Sequence, residues 1–381
     1  MIKIIHIIPD FKKGGAERLV VDICNELSKR IDIEIQIVLL RNINEFSFLT
    51  DTLNINIIES KVIPSISKDP IVHIDELMQF IIEYKPDVIH SHLFEAEIVS
   101  RWQLINGVKY ITHCHDNMVQ FNPFSLLTLF SKKRITLFYE RQLMIKKYTK
   151  SKTSFITISE HTFHYFQKSL PERFKNRITL LYNAINYKRF SQISNSKNNT
   201  ALLKLVNIGS FVPKKNQQFL LKVVHILKER KIPVVLTLLG NGIGNDKIKS
   251  IINALHLENH ILMPGNVDNV EEYLSQNDIY VHSAYYEPFG LVLLEAMAAG
   301  LPVVCLNGGG NKDIMQNGKN GFILEEQNAE AFADKIIDLY YNRTLYSNIS
   351  TFAQQYAHQY DIKPYVDSLL EIYKNAPACI L

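Results

Sequence analysis

Short, nearly uninterrupted apolar runs recur along the first half of the chain at residues 2–8, 33–39, 54–58, 88–90, 109–113 and 154–158. Most are followed by a stretch whose apolar residues return at helical spacing. Strand, helix and strand in that rhythm predict βαβ units and a parallel sheet buried on both faces. A second series begins at 204–208 and continues at 234–238, 260–263, 279–282, 303–305 and 321–323. The pattern therefore predicts an α/β protein of two Rossmann-like, doubly wound parallel-sheet domains facing a central cleft.

Between the two series, residues 187–200 are rich in Ser and Asn and break the apolar rhythm, as linkers do. The expected division is 1–186 for the first domain and 187–359 for the second. Residues 329–339 and 365–373 resume a helical spacing. A terminal helix at about 360–381 is expected to pack back on the first domain.

Length agrees with two domains, because the chain has 381 residues and single cores stop growing near ~250–300. Apolar residues make up 46% and charged residues 21%, which excludes a disordered or collagen-like chain. A net charge of +4 is too small to indicate a nucleic-acid partner, and none is expected. Cys24, Cys114, Cys305 and Cys379 are scattered without C-x-x-C spacing. They suggest neither a disulfide framework nor a zinc site, and are expected to be buried, reduced thiols. The opening apolar run is shorter than the ~18 residues a membrane span requires and has no small-residue cleavage site, so the protein is expected in the cytoplasm.

The segment with most chemistry runs from Glu287 through Pro288, Phe289, Gly290, Leu291 and Val292 to Glu295, then on to Gly300 and Pro302. It follows a strand, and residues 290–299 are predicted to be helical with Gly300 as the stop. A strand, a turn and a helix N-terminus put free amides and a positive dipole end where a phosphate can bind. Glu287 precedes the helix and Glu295 lies in its second turn. One carboxylate can meet a sugar while the other accepts hydrogen bonds from a ribose. Two carboxylates eight apart, taken alone, favour the reading of an ordinary buried helix with an acidic residue at its N-terminus.

The complete string, E-P-F-G-L-x-x-x-E-A-M-A-x-G-x-P, resembles the E-x7-E signature of retaining glycosyltransferases with GT-B architecture. Within these it resembles family 4 (glycosyl transferases group 1) of the bacterial polysaccharide and glycolipid type. The resemblance implies a nucleotide-diphosphate sugar donor, with UDP expected ahead of GDP, and a saccharide or lipid-linked saccharide acceptor. It also implies that no cofactor and no metal are required. On this reading the first domain serves the acceptor and the second binds the nucleotide sugar.

Other segments fall where the same resemblance places them. Gly14 and Gly15, with Ala16 and Glu17, follow the first strand and open a helix, where backbone amides can approach donor phosphates or acceptor. His90 and His92 end one strand, and His113, His115 and Asp116 end another. Histidine pairs invite a metal, but no acidic or cysteine ligand has zinc-like spacing, and no metal site is assigned. The His115-Asp116 pair matches the family's H-D, which puts His115 near the donor sugar. His90 and His92 could be structural or acceptor-side. In the second domain, Gly209, Ser210 and Lys215 follow the first strand. Lys215 matches the family's lysine and supplies a point charge for a departing diphosphate. Ser210 stands where the family has arginine, leaving Lys214 or a helix N-terminus to compensate. Gly240 belongs to an L-G-x-G turn, and Val267 is expected against the nucleobase. Asp313, in G-G-G-N-K-D, is read as a helix cap. The assigned catalytic residues are thus His115, Lys215 and Glu287. Donor contacts are expected from Gly14, Gly15, Gly209, Ser210, Lys215, Gly240, Val267, Glu287, Phe289, Gly290, Leu291, Val292 and Glu295.

Residues 121–150 interleave Lys132, Lys133, Arg134, Arg141, Lys146, Lys147 and Lys150 with Phe124, Leu126, Leu127, Leu129, Phe130, Leu137, Phe138 and Leu143. Such a basic amphipathic region suits an anionic membrane surface at the inner face of the cytoplasmic membrane. A solvent-facing helix pair over the core would read the same. Two rival functions share the paired-domain layout: a nucleotide-sugar epimerase and a non-catalytic nucleotide-sugar sensor. The long E-P-F-G-L string argues against the first, and the retained Lys215, Glu287, Glu295 and His115 against the second. A nicotinamide oxidoreductase is opposed by the lack of G-x-G-x-x-G after the first strand.

Overall fold

The structure is a computed structural model describing residues 1–66, 68–122, 131–192 and 201–380. The chain forms two compact units, Met1–Asn183 with Ile362–Leu381, and Ala184–Asp361.

In the first unit, strands β1 (Ile2–Ile8), β2 (Ile33–Leu39) and β3 (Ile55–Ile57) are followed by a small antiparallel pair, β4 (Lys61–Ile63) and β5 (Ile71–His73). Strands β6 (Val88–His92), β7 (Lys109–Cys114), β8 (Ser154–Thr157) and β9 (Ile178–Leu180) complete the set. The seven-stranded sheet is parallel and runs β3-β2-β1-β6-β7-β8-β9. The second unit holds β10 (Leu203–Ile208), β11 (Val234–Leu239), β12 (Ile261–Gly265), β13 (Ile279–His282), β14 (Val303–Leu306) and β15 (Gly321–Leu324). Its order is β12-β11-β10-β13-β14-β15, again parallel.

Central strands are buried along most of their length, which explains their lack of polar alternation. Each sheet reverses its winding once, between β1 and β6 and between β10 and β13. Ligands of doubly wound sheets bind outside the C-terminal strand ends at that reversal. Both switch points here carry the polar residues described below.

Three sequence expectations are corrected. Residues 187–191, read as linker, form a short helix at Tyr187–Ser191. The Asn186 side chain accepts from the Arg189 amide at 3.2 Å, Arg189 pairs with Glu271 at 2.7 Å, and Phe190 is buried. Capping and packing override the polar composition there; residues 193–200 lie outside the described residues. The hairpin β4-β5 and strand β9 were not anticipated, because runs of three residues carry too little periodicity to register. Asp313 caps no helix: it ends a 3₁₀ turn, Gly310–Asp313. The turn is knitted by buried Asn311, which accepts from the Gly308 amide and donates to the Leu306 carbonyl, both at 2.8 Å.

The terminal helix, Ile362–Asn375, packs in the first unit against the helix Gly15–Leu27. Arg30 reaches Asp367 at 2.6 Å, and buried Tyr373 reaches the sheet. All four cysteines are free and buried.

Candidate functional site

The second unit gathers its chemistry where β10 and β13 end. After β10, residues Pro213–Lys215 make one 3₁₀ turn, and Asn216, in the left-handed region at φ 52°, starts the helix Gln217–Glu229. The turn carries Lys215 toward the end of β13. Its backbone is held there by Ser283, whose hydroxyl donates to the Lys215 carbonyl at 2.9 Å, and by the Tyr285 amide, which donates to the Lys214 carbonyl at 3.1 Å. Lys215 Nζ donates to Glu287 Oε2 at 2.5 Å, and the His282 Nε2 lies 3.0 Å from the same oxygen. His282 Nδ1 in turn lies 3.3 Å from the Tyr280 hydroxyl.

Glu287 is only 7% exposed. Burial alone would push its carboxyl up, yet the Lys215 ammonium and the His282 ring hold it down at about 2. It is an anion throughout the neutral range. Burial lowers the His282 pKa and Glu287 partly restores it.

The loop around Glu287 is fixed from the loop that follows the neighbouring strand β14. The Glu287 amide donates to the Gly308 carbonyl at 2.7 Å, and the Gly310 amide to the Glu287 carbonyl at 2.9 Å. This approach requires glycine: a Cβ on Gly310 would stand 1.8 Å from the Pro288 carbonyl oxygen. Gly290, at φ 103°, caps the helix Leu291–Ala298. The Leu291 and Val292 amides fall in its first turn, where no acceptor exists within the helix. Phe289 is buried, with its ring 6.1 Å from Tyr360, and Glu295 is 9% exposed on the same helix.

Gly209 packs on the Lys215 stem, with a virtual Cβ 3.7 Å from its Cδ, and Gly240 closes on Gly209, where a Cβ would meet the carbonyl oxygen at 2.2 Å. Ser210 is exposed, and its carbonyl accepts from Gln217 Nε2 at 3.1 Å. Lys214, the alternative cation, sits over the Tyr286 ring at 5.4 Å. Val267 lies in the loop after β12. The structure therefore brings together Gly209, Ser210, Lys215, Gly240, Glu287 and the 289–292 turn within one unit. Sequence reasoning missed His282, a lone strand histidine with no motif around it.

In the first unit, five histidines share one face of the sheet at the β1/β6 reversal. Parallel register explains the gathering: His6 pairs with His90, and His92 with His113. The i, i+2 repeats His90/His92 and His113/His115 keep each pair on one face. On the opposite face, Ser91 and Thr112 bind buried Arg101 at 2.6 and 2.9 Å, which ties β6 to β7. His6 Nδ1 lies 2.9 Å from His92 Nε2, and His92 Nδ1 lies 2.9 Å from His115 Nε2. His90 Nδ1 meets the Tyr373 hydroxyl at 2.6 Å. Burial pushes the pKa values of His6 and His115 down to about 3 and those of His90, His92 and His113 well below the ordinary value. All five are neutral at pH 7. Histidine pairs were legible in the sequence, but His6, standing alone in β1, was not.

Gly14 caps the helix Gly15–Leu27, and Glu17 folds over it, its Oε2 2.2 Å from where a Gly14 Cβ would be. Burial raises the Glu17 carboxyl to about 7, with Asp10 adding to the rise and its own backbone and Lys12 opposing it.

Two parallel-sheet α/β units of this kind define a protein of GT-B architecture. Consistent with this, HepE from Anabaena, in complex with UDP-glucose, superposes with a TM-score of 0.78 at 19% identity, over 98% of this chain and 100% of that one. Residues 188–356 match the family described as glycosyl transferases group 1, and residues 13–189 match glycosyltransferase family 4. The two matches together span residues 13–356, and the chain is a glycosyltransferase. It is 33% identical over 129 residues to N-acetyl-alpha-D-glucosaminyl L-malate synthase of Bacillus anthracis, a match spanning 34% of each chain. An uncharacterized glycosyltransferase of Haemophilus influenzae is 24% identical over 93% of this chain and 94% of its own.

Proposed function

We propose that the protein transfers a sugar from a nucleotide-diphosphate donor to an acceptor hydroxyl with retention at the anomeric carbon, in the making of a bacterial surface polysaccharide or glycolipid. The observation that carries this reading is the buried Lys215–Glu287–His282 group at the winding reversal of the second sheet. Breakage of the glycosidic bond leaves negative charge on the diphosphate and positive character on the sugar. Lys215 and the first-turn amides of Leu291 and Val292 stabilise the former, and the fixed carboxylate of Glu287 orients the latter. Glu295 is assigned to the ribose, Val267 to the base, and Gly14, Gly15, Gly209, Ser210 and Gly240 to close backbone contact. In the first unit, His115 is assigned to the transferring sugar. The leaving phosphate oxygen accepts the acceptor proton on the same face, so no protein nucleophile and no metal are required. HepE's complexes with UDP and UDP-glucose support a UDP-sugar donor ahead of a GDP-sugar.

Thermal unfolding with UDP, GDP, ADP and their sugar conjugates tests the donor site. One series, expected to be that of UDP, should raise the midpoint by several degrees, since a ligand at ~100 times its dissociation constant adds about 2.7 kcal/mol. Product NMR then separates the rivals: an α-linked product from an α-linked donor, an epimerised donor, or no turnover. Midpoints unmoved by every nucleotide would overturn the donor assignment.

A second proposal concerns the helix Lys132–Ser151. Met144, Ile145 and Tyr148 face the core, while Lys132, Lys133, Arg134, Lys146 and Lys150 are exposed. Phe124, Leu126, Leu127, Leu129 and Phe130 lie outside the described residues. No described helix is long and apolar enough to cross a membrane. The exposed cations favour contact with an anionic membrane surface and a lipid-linked acceptor. Vesicles with 30% anionic lipid should sediment the protein at low salt and release it at high salt; equal retention by neutral vesicles would sink the idea.

A further inference from the structure

We propose that His6, His92 and His115 work as one hydrogen-bonded tautomeric chain that fixes His115 as a hydrogen-bond donor at Nδ1, with His6 as the positioning residue at its far end. The inference rests on His115 meeting the transferring sugar, as assigned above.

The chain is read from two contacts of 2.9 Å, His6 Nδ1 to His92 Nε2 and His92 Nδ1 to His115 Nε2. A neutral imidazole has one N–H and one bare nitrogen, so each ring must donate at one nitrogen and accept at the other. The three rings therefore have only two self-consistent registers. In the first, every proton is on Nδ1: His6 donates to His92, His92 donates to His115, and His115 Nδ1–H is left to donate outward. In the second, every proton is on Nε2: donation runs from His115 to His6, and His115 Nδ1 is bare.

The ends of the chain decide between them. His6 Nε2 and His115 Nδ1 have no hydrogen-bond partner among the described residues. One end must carry an N–H and the other a lone pair, and a buried, unpaired N–H is the costlier of the two. His6 is wholly buried, whereas His115 is 8% exposed. Both end nitrogens are buried, so the choice falls to the ring with any exposure: the first register puts the N–H on His115, where a ligand at the exposed part of that residue can pair it, and the lone pair on wholly sealed His6. Converting it to the second moves one proton across each N···N contact, takes one in at His6 Nε2 and releases one at His115 Nδ1. The sealed His6 end has no partner from which that proton could come, so the register is held during turnover. The flanking rings make no hydrogen bond to these three among the described residues. His113 stacks on His115 at 4.2 Å, and His90 is turned to Tyr373.

The same five rings contain two groups of three whose ligand nitrogens lie within 4.8 Å. Metal ligation requires the lone pairs to converge in the ring planes, yet in one group His113 and His115 lie parallel at 8°, and in the other His6 Nδ1 and His92 Nε2 face each other at 2.9 Å. Hydrogen bonding accounts for the arrangement more directly.

Histidine ring nitrogens of the 15N-labelled full chain, free of ligand, would test this by long-range 1H–15N correlation. His6, His92 and His115 should be neutral and protonated at Nδ1, the tautomer free histidine disfavours. His6→Asn places an amide nitrogen where Nδ1 stood and should preserve both the His115 pattern and turnover. His6→Gln, whose amide falls at the Nε2 position, should leave His115 a mixture of tautomers. Its kcat should fall about tenfold, the loss expected for one misdirected hydrogen bond, with donor KM changed less than kcat. An Nε2-protonated His115 in the wild type, Asn and Gln variants alike in spectrum and rate, or stoichiometric metal with metallated ring shifts would each overturn the proposal. If no nucleotide sugar is turned over at all, the transfer reading falls, while the ligand-free spectrum still decides whether the chain exists.

Discussion

Replacing Lys215 with Met should lower the transfer rate constant by roughly 10²–10³-fold, the usual loss when one preorganised donor to developing charge is removed. It should also destabilise the fold by about 3–5 kcal/mol, because removing one partner strands a buried charge. Lys215 and Glu287 side chains are 18% and 9% exposed, so water can do little to replace the lost ammonium. The two effects separate in a double variant. Lys215→Met with Glu287→Leu should regain most of the stability, since buried pairs are often replaced by apolar residues at little cost, but none of the rate. Urea denaturation and single-turnover transfer would check this. A single variant that keeps its rate would remove Lys215 from the mechanism.

The second large effect is steric. Gly310→Ala puts a methyl carbon 1.8 Å from the Pro288 carbonyl oxygen, 2.3 Å from its carbon and 3.0 Å from the Glu287 carbonyl oxygen. All three are backbone atoms, so the Glu287 loop itself must move. A stability loss of about 1–3 kcal/mol is expected from overpacking, with a loss of activity near 10²-fold for a displacement of about 1 Å at the site. Gly14→Ala is the contrast. Its nearest obstacle, at 2.2 Å, is the far end of the Glu17 side chain, which can swing away. The pair of variants, compared by calorimetry and turnover, distinguishes a rigid backbone approach from a soft one.

Much of the fold was legible because parallel strands buried on both faces write themselves as continuous apolar runs, and the central strands of both sheets carry such runs. The candidate-site string from Glu287 to Pro302 was legible because its glycines, proline and carboxylates occupy a fixed spacing along one strand–turn–helix. What remained hidden is contact across strands. His282 and His6 are each a single residue in an apolar run, and only register with a neighbouring strand or loop gives them partners. Asn311 looked like part of a loop because nothing local reveals that its amide serves two backbone groups. The short helix after Asn186 was masked by composition, since Ser and Asn are as common at helix caps as in linkers.

The first unit is discontinuous in the chain: it opens at residue 1 and is completed by the helix Ile362–Asn375, whose Tyr373 closes on His90. During synthesis, residues 1–183 leave the ribosome long before the element that covers them, and the whole second unit must emerge in between. The second unit can fold as soon as it is out, whereas the first, with all seven strands already made, must wait for the helix Ile362–Asn375 that covers it. Translation order thus runs opposite to the order in which the two units can be finished, and a chain truncated after residue 361 would carry a complete second unit beside a first unit without its covering helix.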